Sequence, residues 1–298
     1  GFKDEPYGLY LESAGKQVKV DGLTEEAITR AIIKVTRVNQ TKKIFYYLTG
    51  HQELNLEGED PQMAGHLKND LSTMYDLKPL NLLETQKVPD DAVAVAILGP
   101  KQSLLDAELG HLRDYAKRGG KFVIAADPGE KHNLAQLMKS FGVEFSNQYI
   151  IDPAASVPGE GNVLSIGTVF SPISDVTRTI EKGGVAVFYL GSSLKRAPDA
   201  PKELQVDEIV KSSNRAVALS ELSNQAQPRP VDSVALAVSV SGKLANGATP
   251  AAEEFQAVIF ADSDFLRNTL IDKNQNRDLA LNTFSYLAND KDMIAIRP

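Results

Sequence analysis

The 298-residue chain contains no cysteine. This absence excludes disulfide bonds, thiolate metal sites, iron–sulfur clusters and cysteine nucleophiles. It leaves the compartment open, because a domain of this size can be stable without disulfides in either redox setting. No apolar run approaches the roughly 18 residues that a membrane-spanning helix needs. The first residues, GFKDEPYG, do not form a signal peptide. We therefore expect a soluble segment of a longer protein.

The chain is also short of positive charge. Its 32 Lys and Arg residues against 39 Asp and Glu residues give a formal net charge of −7. Binding to phosphate backbones requires the opposite sign, so the sequence predicts no nucleic-acid partner. Apolar residues make up 42% and charged residues 24%, a balance that permits a sizeable core. The stretch Gly191–Leu194 lacks the second glycine of the G-x-S-x-G motif of serine hydrolases.

Four apolar runs, rich in β-branched residues, dominate the pattern, and each one leads into Gly, Pro or Asp. They are Ile44–Leu48, Ala92–Pro100, Lys121–Gly129 and Phe255–Phe265. Strands that are buried on both faces have this composition, because helices cover both sides of a parallel sheet. The sequence therefore predicts a three-layer α/β domain with a mostly parallel central sheet. The predicted core comprises Ile44, Tyr46, Val95, Ile97, Leu112, Val123, Ile124 and Ile259.

The remaining pattern predicts how the chain is divided. Short alternating runs at Tyr7–Glu12 and Gln17–Val20 indicate a hairpin. Apolar residues at helical spacing predict a helix after Thr24 and further helices at Pro61–Tyr75, Ser103–Arg118, Asn133–Phe141 and Asn276–Leu287. Lys78–Leu83 is predicted as a short strand. We therefore expect a docked N-terminal piece (1–40), a first α/β part (41–151), a β-richer extension or inserted subdomain (152–252), and a final central strand with its closing helix (253–298).

Polar residues follow the predicted central strands. Ligands of open α/β sheets bind at the carboxyl ends of the strands, where sequence-distant turns line one crevice. The residues expected there are Thr49, Gly50, His51, Glu53, Lys101, Asp127, Asp262 and Asp264. Such a crevice would be acidic overall, so a cationic or neutral polyhydroxyl partner fits it better than an anionic one.

These residues also have simpler explanations. His51 could act as a base or a metal ligand, or it could only hold a strand-end turn. Asp262 and Asp264 could bind a hard cation or form an acid/base pair, but Asp and Ser also cap helices and close turns. The sequence favours capping for Asp262, Asp264 and Asp127, because no EF-hand or Walker motif surrounds them. It predicts no catalytic residue, no resident metal and no cofactor.

Several segments together resemble a known family. Tyr47–Glu53 matches its strand-TGHGE signature, with Gln52 where the family usually has glycine. The similarity extends through Leu23–Ile32, Leu98–Lys101, Leu112–Tyr115, Arg118–Gly120, Ala126–Gly129, Phe260–Phe265 and Asn276–Leu279. This ordered set is similar to the gliding-motility-type auxiliary component of ABC transporters, and it spans roughly Thr24 to Asp292.

The resemblance implies an extracytoplasmic, periplasmic domain anchored to the inner membrane by helices outside this chain. The partners it implies are the permease and ATPase subunits of an ABC transporter. It also implies a flavodoxin-like or class I glutamine-amidotransferase-like fold, without the catalytic cysteine of the latter. The leading hypothesis is a non-enzymatic interaction or substrate-handling domain of a transport complex. The alternatives are a small-molecule or glycan-binding domain, or a metal-dependent hydrolase that uses His51, Asp127, Asp262 and Asp264.

Overall fold

The four predicted central strands lie side by side in the middle of a large sheet. The computed structural model describes residues 8–13, 15–20, 22–23, 27–28, 31–32, 35, 42–155, 163–223, 225–244 and 253–290. The strands are β1 Tyr10–Ser13, β2 Lys16–Lys19, β3 Ile44–Leu48, β4 Asp76–Leu80, β5 Ala92–Leu98, β6 Lys121–Ala125, β7 Val143–Phe145, β8 Tyr149–Ile151, β9 Leu164–Phe170, β10 Ala186–Tyr189, β11 Leu194–Arg196, β12 Leu204–Ser212, β13 Val217–Leu219, β14 Arg229–Pro230, β15 Ala235–Gly242 and β16 Phe255–Phe260. The helices are α1 Gly65–Ser72, α2 Leu82–Thr85, α3 Asp106–Lys117, α4 Leu134–Ser140 and α5 Asn276–Leu287, with a 3₁₀ turn at Asp264–Leu266.

Within the described residues the main sheet has 11 strands, and its spatial order is β10-β9-β12-β15-β16-β6-β5-β3-β4 with β11 and β7 attached to β15. The neighbours from β16 to β4 are all parallel. None of the four predicted central strands lies at an edge, because β4 covers β3 and β15 covers β16. The predicted α/β fold with a parallel centre is confirmed.

Alternate residues of the central strands face opposite helical layers. Along β5, Ala94, Ala96 and Leu98 face one hydrophobic cluster, and Val95 and Ile97 face the other. The first cluster also contains apolar side chains of α1 and α5, and the second contains those of α3 and α4. This is the three-layer arrangement that runs buried on both faces require. The predicted core residues are buried except Ile44, which is only partly buried because it stands at the start of β3.

Several predicted boundaries were wrong. Helix α1 begins at Gly65 rather than Pro61, because a turn closed by Met63 N and Asp60 O precedes it. The predicted strand at residues 78–83 is β4 followed by α2, whose start is capped by the side chain of Asn81. Helix α3 begins at Asp106 rather than Ser103, because the Ser103 hydroxyl bonds the Lys131 carbonyl instead. The bounds of α5 agree with the prediction.

Most strands of residues 152–252 extend the same sheet in antiparallel fashion. Strand β15 pairs β16 and β12, and β9 pairs β12 and β10. Strands β9 and β12 were not predicted, because charged and small residues interrupt their apolar pattern. A separate three-stranded sheet joins β14, β13 and β8. The proposed domain boundaries stay a prediction.

The N-terminal residues form a small cluster of their own. Strands β1 and β2 pair antiparallel as the predicted hairpin. Val18, Val20, Ala31 and Val35 are buried together in a cluster distinct from the two main ones. Residues 27–28, 31–32 and 35 are helical, and the predicted N-cap Thr24 lies outside the described residues.

Candidate functional site

Asp127 and Ser263 connect the ends of two neighbouring parallel strands. The chain leaves β6 at Ala126 and β16 at Ala261, and the two turns meet side by side. The Ser263 backbone N–H donates to Asp127 Oδ1 at 2.5 Å, and its hydroxyl donates to Asp127 Oδ2 at 2.6 Å. Gly99, at the end of β5, has φ +58° and packs so closely that a Cβ would lie 2.8 Å from Ser263 Cβ. Glycine is therefore required there by both space and backbone conformation.

Asp262 is buried beside this pair and ties in a third segment. One of its oxygens accepts from Tyr189 N at 2.5 Å, at the end of edge strand β10, and the other accepts from Asp264 N. Burial, reinforced by the carboxylates of Asp264 and Asp127, raises the pKa of Asp262 well above its usual range. Asp262 therefore closes the turn that enters the 3₁₀ segment and holds β10 against it.

Asp264 completes the group, with its side chain 13% exposed. Burial raises its pKa to about 7, and Asp127 and Glu130 push it in the same direction, whereas Arg267 and Lys101 oppose the rise. The opposing cation in contact is Arg267, whose Nη2 lies 2.6 Å from Asp264 Oδ1. A proton on this carboxyl group is thus exchanged near neutral pH, where a general acid or base would need it.

Asp127, Asp262 and Asp264 each place a carboxylate oxygen within 4.8 Å of the others. A hard divalent cation prefers such oxygens, so these three residues are the ones that could hold a metal. The same oxygens, however, already accept hydrogen bonds or an ion pair from Ser263, Tyr189, the Asp264 amide and Arg267. The arrangement therefore performs the capping and loop-joining role that the sequence favoured.

His51 lies at the end of β3 between two acidic side chains. Its Nδ1 is 3.1 Å from Glu53 Oε1, and its Nε2 is 2.9 Å from Glu108 Oε2. His51 is 6% exposed and Glu108 is fully buried. Glu53 also accepts from the His51 amide, and Glu108 Oε2 accepts from Leu105 N at 2.8 Å. The ring therefore joins the β3 turn to the first turn of α3, with both nitrogens engaged.

Glu108 is the functional residue that sequence analysis missed. It lies at the third position of α3 in a capping box, where a Glu usually faces solvent. Its Oε1 is buried with no hydrogen-bond partner among the described residues. The spacing of Glu108 behind Leu105 was the only available indication, and it does not reveal the contact with His51.

The other predicted residues lie around this network. Lys101 N and Gln102 N both donate to the His51 carbonyl, at 2.9 and 3.1 Å, so the β3 and β5 turns are joined. Thr49 bonds the Leu80 carbonyl, and Gly50 adopts φ +120°. Lys101 is half-exposed and acts on Asp264 through its charge. The four strand ends thus lie along one edge, and their role as a ligand or partner crevice stays a prediction.

The fold and the edge network define an α/β domain whose strand-end polar groups are held by internal hydrogen bonds. A family model described as "ABC-type uncharacterized transport system" matches residues 42–295. The chain belongs to this family, which places it among the auxiliary components of ABC-type transport systems. Membership implies membrane transporter partners. Among the described residues, no helix has the length and apolar character to cross a bilayer.

Comparison with solved structures adds information about the fold. The structure titled "mmIFT52 N-terminal domain" superposes with a TM-score of 0.58 at 12% identity, covering 82% of this chain and 97% of that one. A protein described as ThuA-like from Bacteroides uniformis gives 0.49 at 14% identity over 83% and 91% of the two chains. A GMP synthase protein from Thermoplasma acidophilum gives 0.41 at 8% identity over 85% and 98%. No curated protein matches this chain.

Proposed function

We propose that this chain is a non-enzymatic extracytoplasmic domain that handles interactions or substrate for an ABC-type transport complex. The observation that carries the proposal is the family match over residues 42–295. Its partners are the permease and ATPase subunits of that complex, and a membrane tether outside this segment holds it at the inner membrane. The gliding-motility-type branch of the family is the one that its strand-end motif most resembles.

The chemistry of the carboxyl edge supports a role without catalysis. Each ring nitrogen of His51 faces a carboxylate, and both oxygens of Asp127 and of Asp262 accept protein hydrogen bonds. A general base must reach a substrate proton, and a nucleophile must reach a substrate atom. Side chains engaged in this way position loops, so the edge presents a fixed surface to a partner.

Co-purification tests the proposal. The full-length gene is expressed with the adjacent permease and ATPase genes, and a tag on this protein is used for pull-down from detergent-solubilised membranes. We expect both partner proteins to be recovered, and protease added to intact spheroplasts to degrade this domain. Recovery of neither partner, or complete protection from the protease, would contradict the proposal.

Two substitutions separate a partner surface from a structural edge. His51→Ala and Asp264→Ala are compared with the parent for melting temperature and for pull-down. A structural cap replaced by Ala costs about 0.5–2 kcal/mol, whereas a binding residue is lost with little change in stability. If both variants melt early and their folded fraction still binds the partners, the edge does not form the partner surface.

A metal-dependent hydrolase is the second candidate, favoured by the three carboxylates within 4.8 Å. Metal analysis of the purified protein and a screen of hydrolase substrates test it directly. Stoichiometric metal that is lost on Asp262→Ala, together with turnover in the parent, would establish the enzyme. Under the leading proposal, we expect neither.

A further inference from the structure

Two grooves lie away from the carboxyl edge, and they differ in whether their polar groups are already engaged. The first, of about 520 Å³, lies between the ends of α3 and α5 at the amino-terminal edge of the sheet. Lys43 Nζ donates to Ala288 O at 2.6 Å and pairs with Asp290, and Lys121 Nζ donates to Leu287 O at 2.9 Å. Arg118 pairs with Asp90 at 3.2 Å. These cations fasten α5 to the sheet, as basic groups at a helix C-terminus do.

The second groove, of about 560 Å³, lies in the antiparallel extension between the end of β9 and the turn after β12. Its walls are built by serine side chains that bond within the protein. Ser213 Oγ donates to buried Asp152 at 2.6 Å, and Ser233 Oγ donates to Ser212 O at 2.7 Å. Ser212 Oγ donates to Ser213 O and accepts from Val234 N. The shape of this groove is therefore fixed by its own hydrogen bonds.

Three other side chains that line the second groove are not engaged in this way. The hydroxyl of Thr168 and the amide of Asn214 have no hydrogen-bond partner in the part of the chain that the structure describes. The Arg215 guanidinium is 69% exposed, and its nearest acid, Asp152 Oδ2, is 4.0 Å away, beyond hydrogen-bond distance. Val169, 51% exposed, adds an apolar surface beside them.

These groups match one chemical class of ligand. A guanidinium presents a planar set of donors that suits an oxyanion. A hydroxyl and an amide donate to and accept from ligand hydroxyls, and an apolar patch suits the C–H face of a sugar ring. The groove offers one exposed cation above the buried carboxylate of Asp152, so it fits a monoanionic carboxylate better than a phosphate dianion. Its volume lies in the range of small-molecule sites.

We propose that this groove is a binding site for a carboxylated sugar, with Arg215 on the carboxylate and Thr168 and Asn214 on the hydroxyls. The site lies on β9 and the β12 turn rather than at the carboxyl edge. It therefore does not depend on the transport role proposed above, and either proposal can fail alone.

Titration of the ¹⁵N-labelled 298-residue chain with glucuronate, followed by amide NMR, tests the site. We expect saturable shifts in the millimolar range, confined to Thr168–Val169 and Ser212–Arg215. Arg215→Gln should weaken binding by about tenfold or more, with an unchanged melting temperature because the side chain is exposed. Arg118→Gln is the matched control, since it removes an exposed arginine from the other groove, and binding should not change.

Further ligands and variants test each part of the recognition. Glucose, which lacks the carboxylate, and inorganic phosphate, which lacks the sugar, should each bind at least about tenfold more weakly than glucuronate. Thr168→Val should weaken glucuronate binding and leave the melting temperature near that of the parent. The proposal is overturned by the absence of saturable shifts, by shifts that persist in Arg215→Gln, or by equal affinity for glucose or phosphate.

Discussion

Both carboxylate oxygens of Asp127 accept hydrogen bonds from Ser263, one from its backbone amide and one from its hydroxyl. The two residues are 136 positions apart in sequence and lie just beyond the ends of β6 and β16. The pair continues the connection between these strands past the last bond of the ladder. It also explains why Gly99 is needed on the neighbouring strand, because a larger residue would displace Ser263.

Replacing Ser263 by Ala should lower the free energy of unfolding by about 1–3 kcal/mol. The physical reason is that a buried charge-assisted hydrogen bond is lost and Asp127 Oδ2 is left without its donor. Urea denaturation measures the change. Ser223→Ala, at an exposed position whose hydroxyl bonds only Glu221, serves as control and should change stability by less than about 0.5 kcal/mol. Equal stability of the two variants would contradict the role assigned to the pair.

The carboxylate group predicts a pH dependence of stability. The folded-state pKa of Asp264 is about 7, above the ordinary value of 3.8, so the folded protein binds this proton more tightly than the unfolded chain. The resulting stabilisation is full below pH 3.8 and is lost as the pH rises through about 7. The raised pKa of Asp262 acts in the same direction.

Asp264→Asn isolates this effect, because Asn resembles the protonated carboxyl group and does not titrate. Relative to the parent, the variant should become more stable as the pH is raised from about 5 to about 8. Urea denaturation at both pH values measures the difference. Asp90→Asn, at an exposed acid whose pKa is lowered, is the control and should show no such rise. A difference between Asp264→Asn and parent that does not vary with pH would refute the assignment.

Gln52 occupies a left-handed backbone conformation, with φ +59°. Its position corresponds to the glycine of the resembling motif, and glycine adopts this conformation without strain. Gln52→Gly should therefore leave stability unchanged or raise it by up to about 1 kcal/mol. Gln52→Val should lower stability by about 1–3 kcal/mol, because β-branched residues tolerate this region poorly. Thermal melts compare the two, and a more stable Val variant would contradict the argument.

The core of the sheet makes a simpler prediction. Ile97 on β5 is fully buried, and Ile97→Ala should cost about 2–5 kcal/mol, the range for a large aliphatic side chain that leaves a cavity. Ile173 is 83% exposed, so Ile173→Ala is the matched control and should cost less than about 0.5 kcal/mol. Urea denaturation of both variants tests the assignment of the core.

The parallel centre was predictable because each strand there is buried on both faces and reads as a continuous apolar run. Strand β12 was not, since Asp207, Glu208 and Lys211 interrupt its pattern where one face meets solvent. Helix α5 was predicted with its bounds because its inward residues, such as Leu279 and Phe284, repeat at helical spacing and are buried. Local pattern therefore suffices where burial is uniform along an element.

The carboxyl edge shows where local pattern stops. Topology alone brings the ends of parallel strands together, so the neighbourhood of Asp127 and Asp262 could be predicted. The partners could not, because the bond from Ser263 to Asp127 depends on the register of β16 against β6, and that of His51 to Glu108 on the height of α3 above β3. Both depend on packing between elements far apart in sequence.

His51 provides the sharpest test of the edge. Removing its ring leaves Glu53 and the fully buried Glu108 without the group that faces both of them. Leaving a buried charge without its partner costs about 3–5 kcal/mol, so His51→Ala should be among the least stable single variants of this domain.

A double-mutant cycle assigns that loss to the contact itself. We expect Glu108→Ala to be destabilising alone, because Leu105 N also loses its acceptor. We expect the double variant His51→Ala, Glu108→Ala to lose less than the sum of the single losses, by about 0.5–3 kcal/mol, since each single substitution removes the same interaction. His132→Ala is a histidine control, because that ring bonds the Asp127 carbonyl and the amide of Leu134 in its own loop rather than an acid. Strictly additive losses in the cycle would mean that His51 and Glu108 do not stabilise the protein through each other.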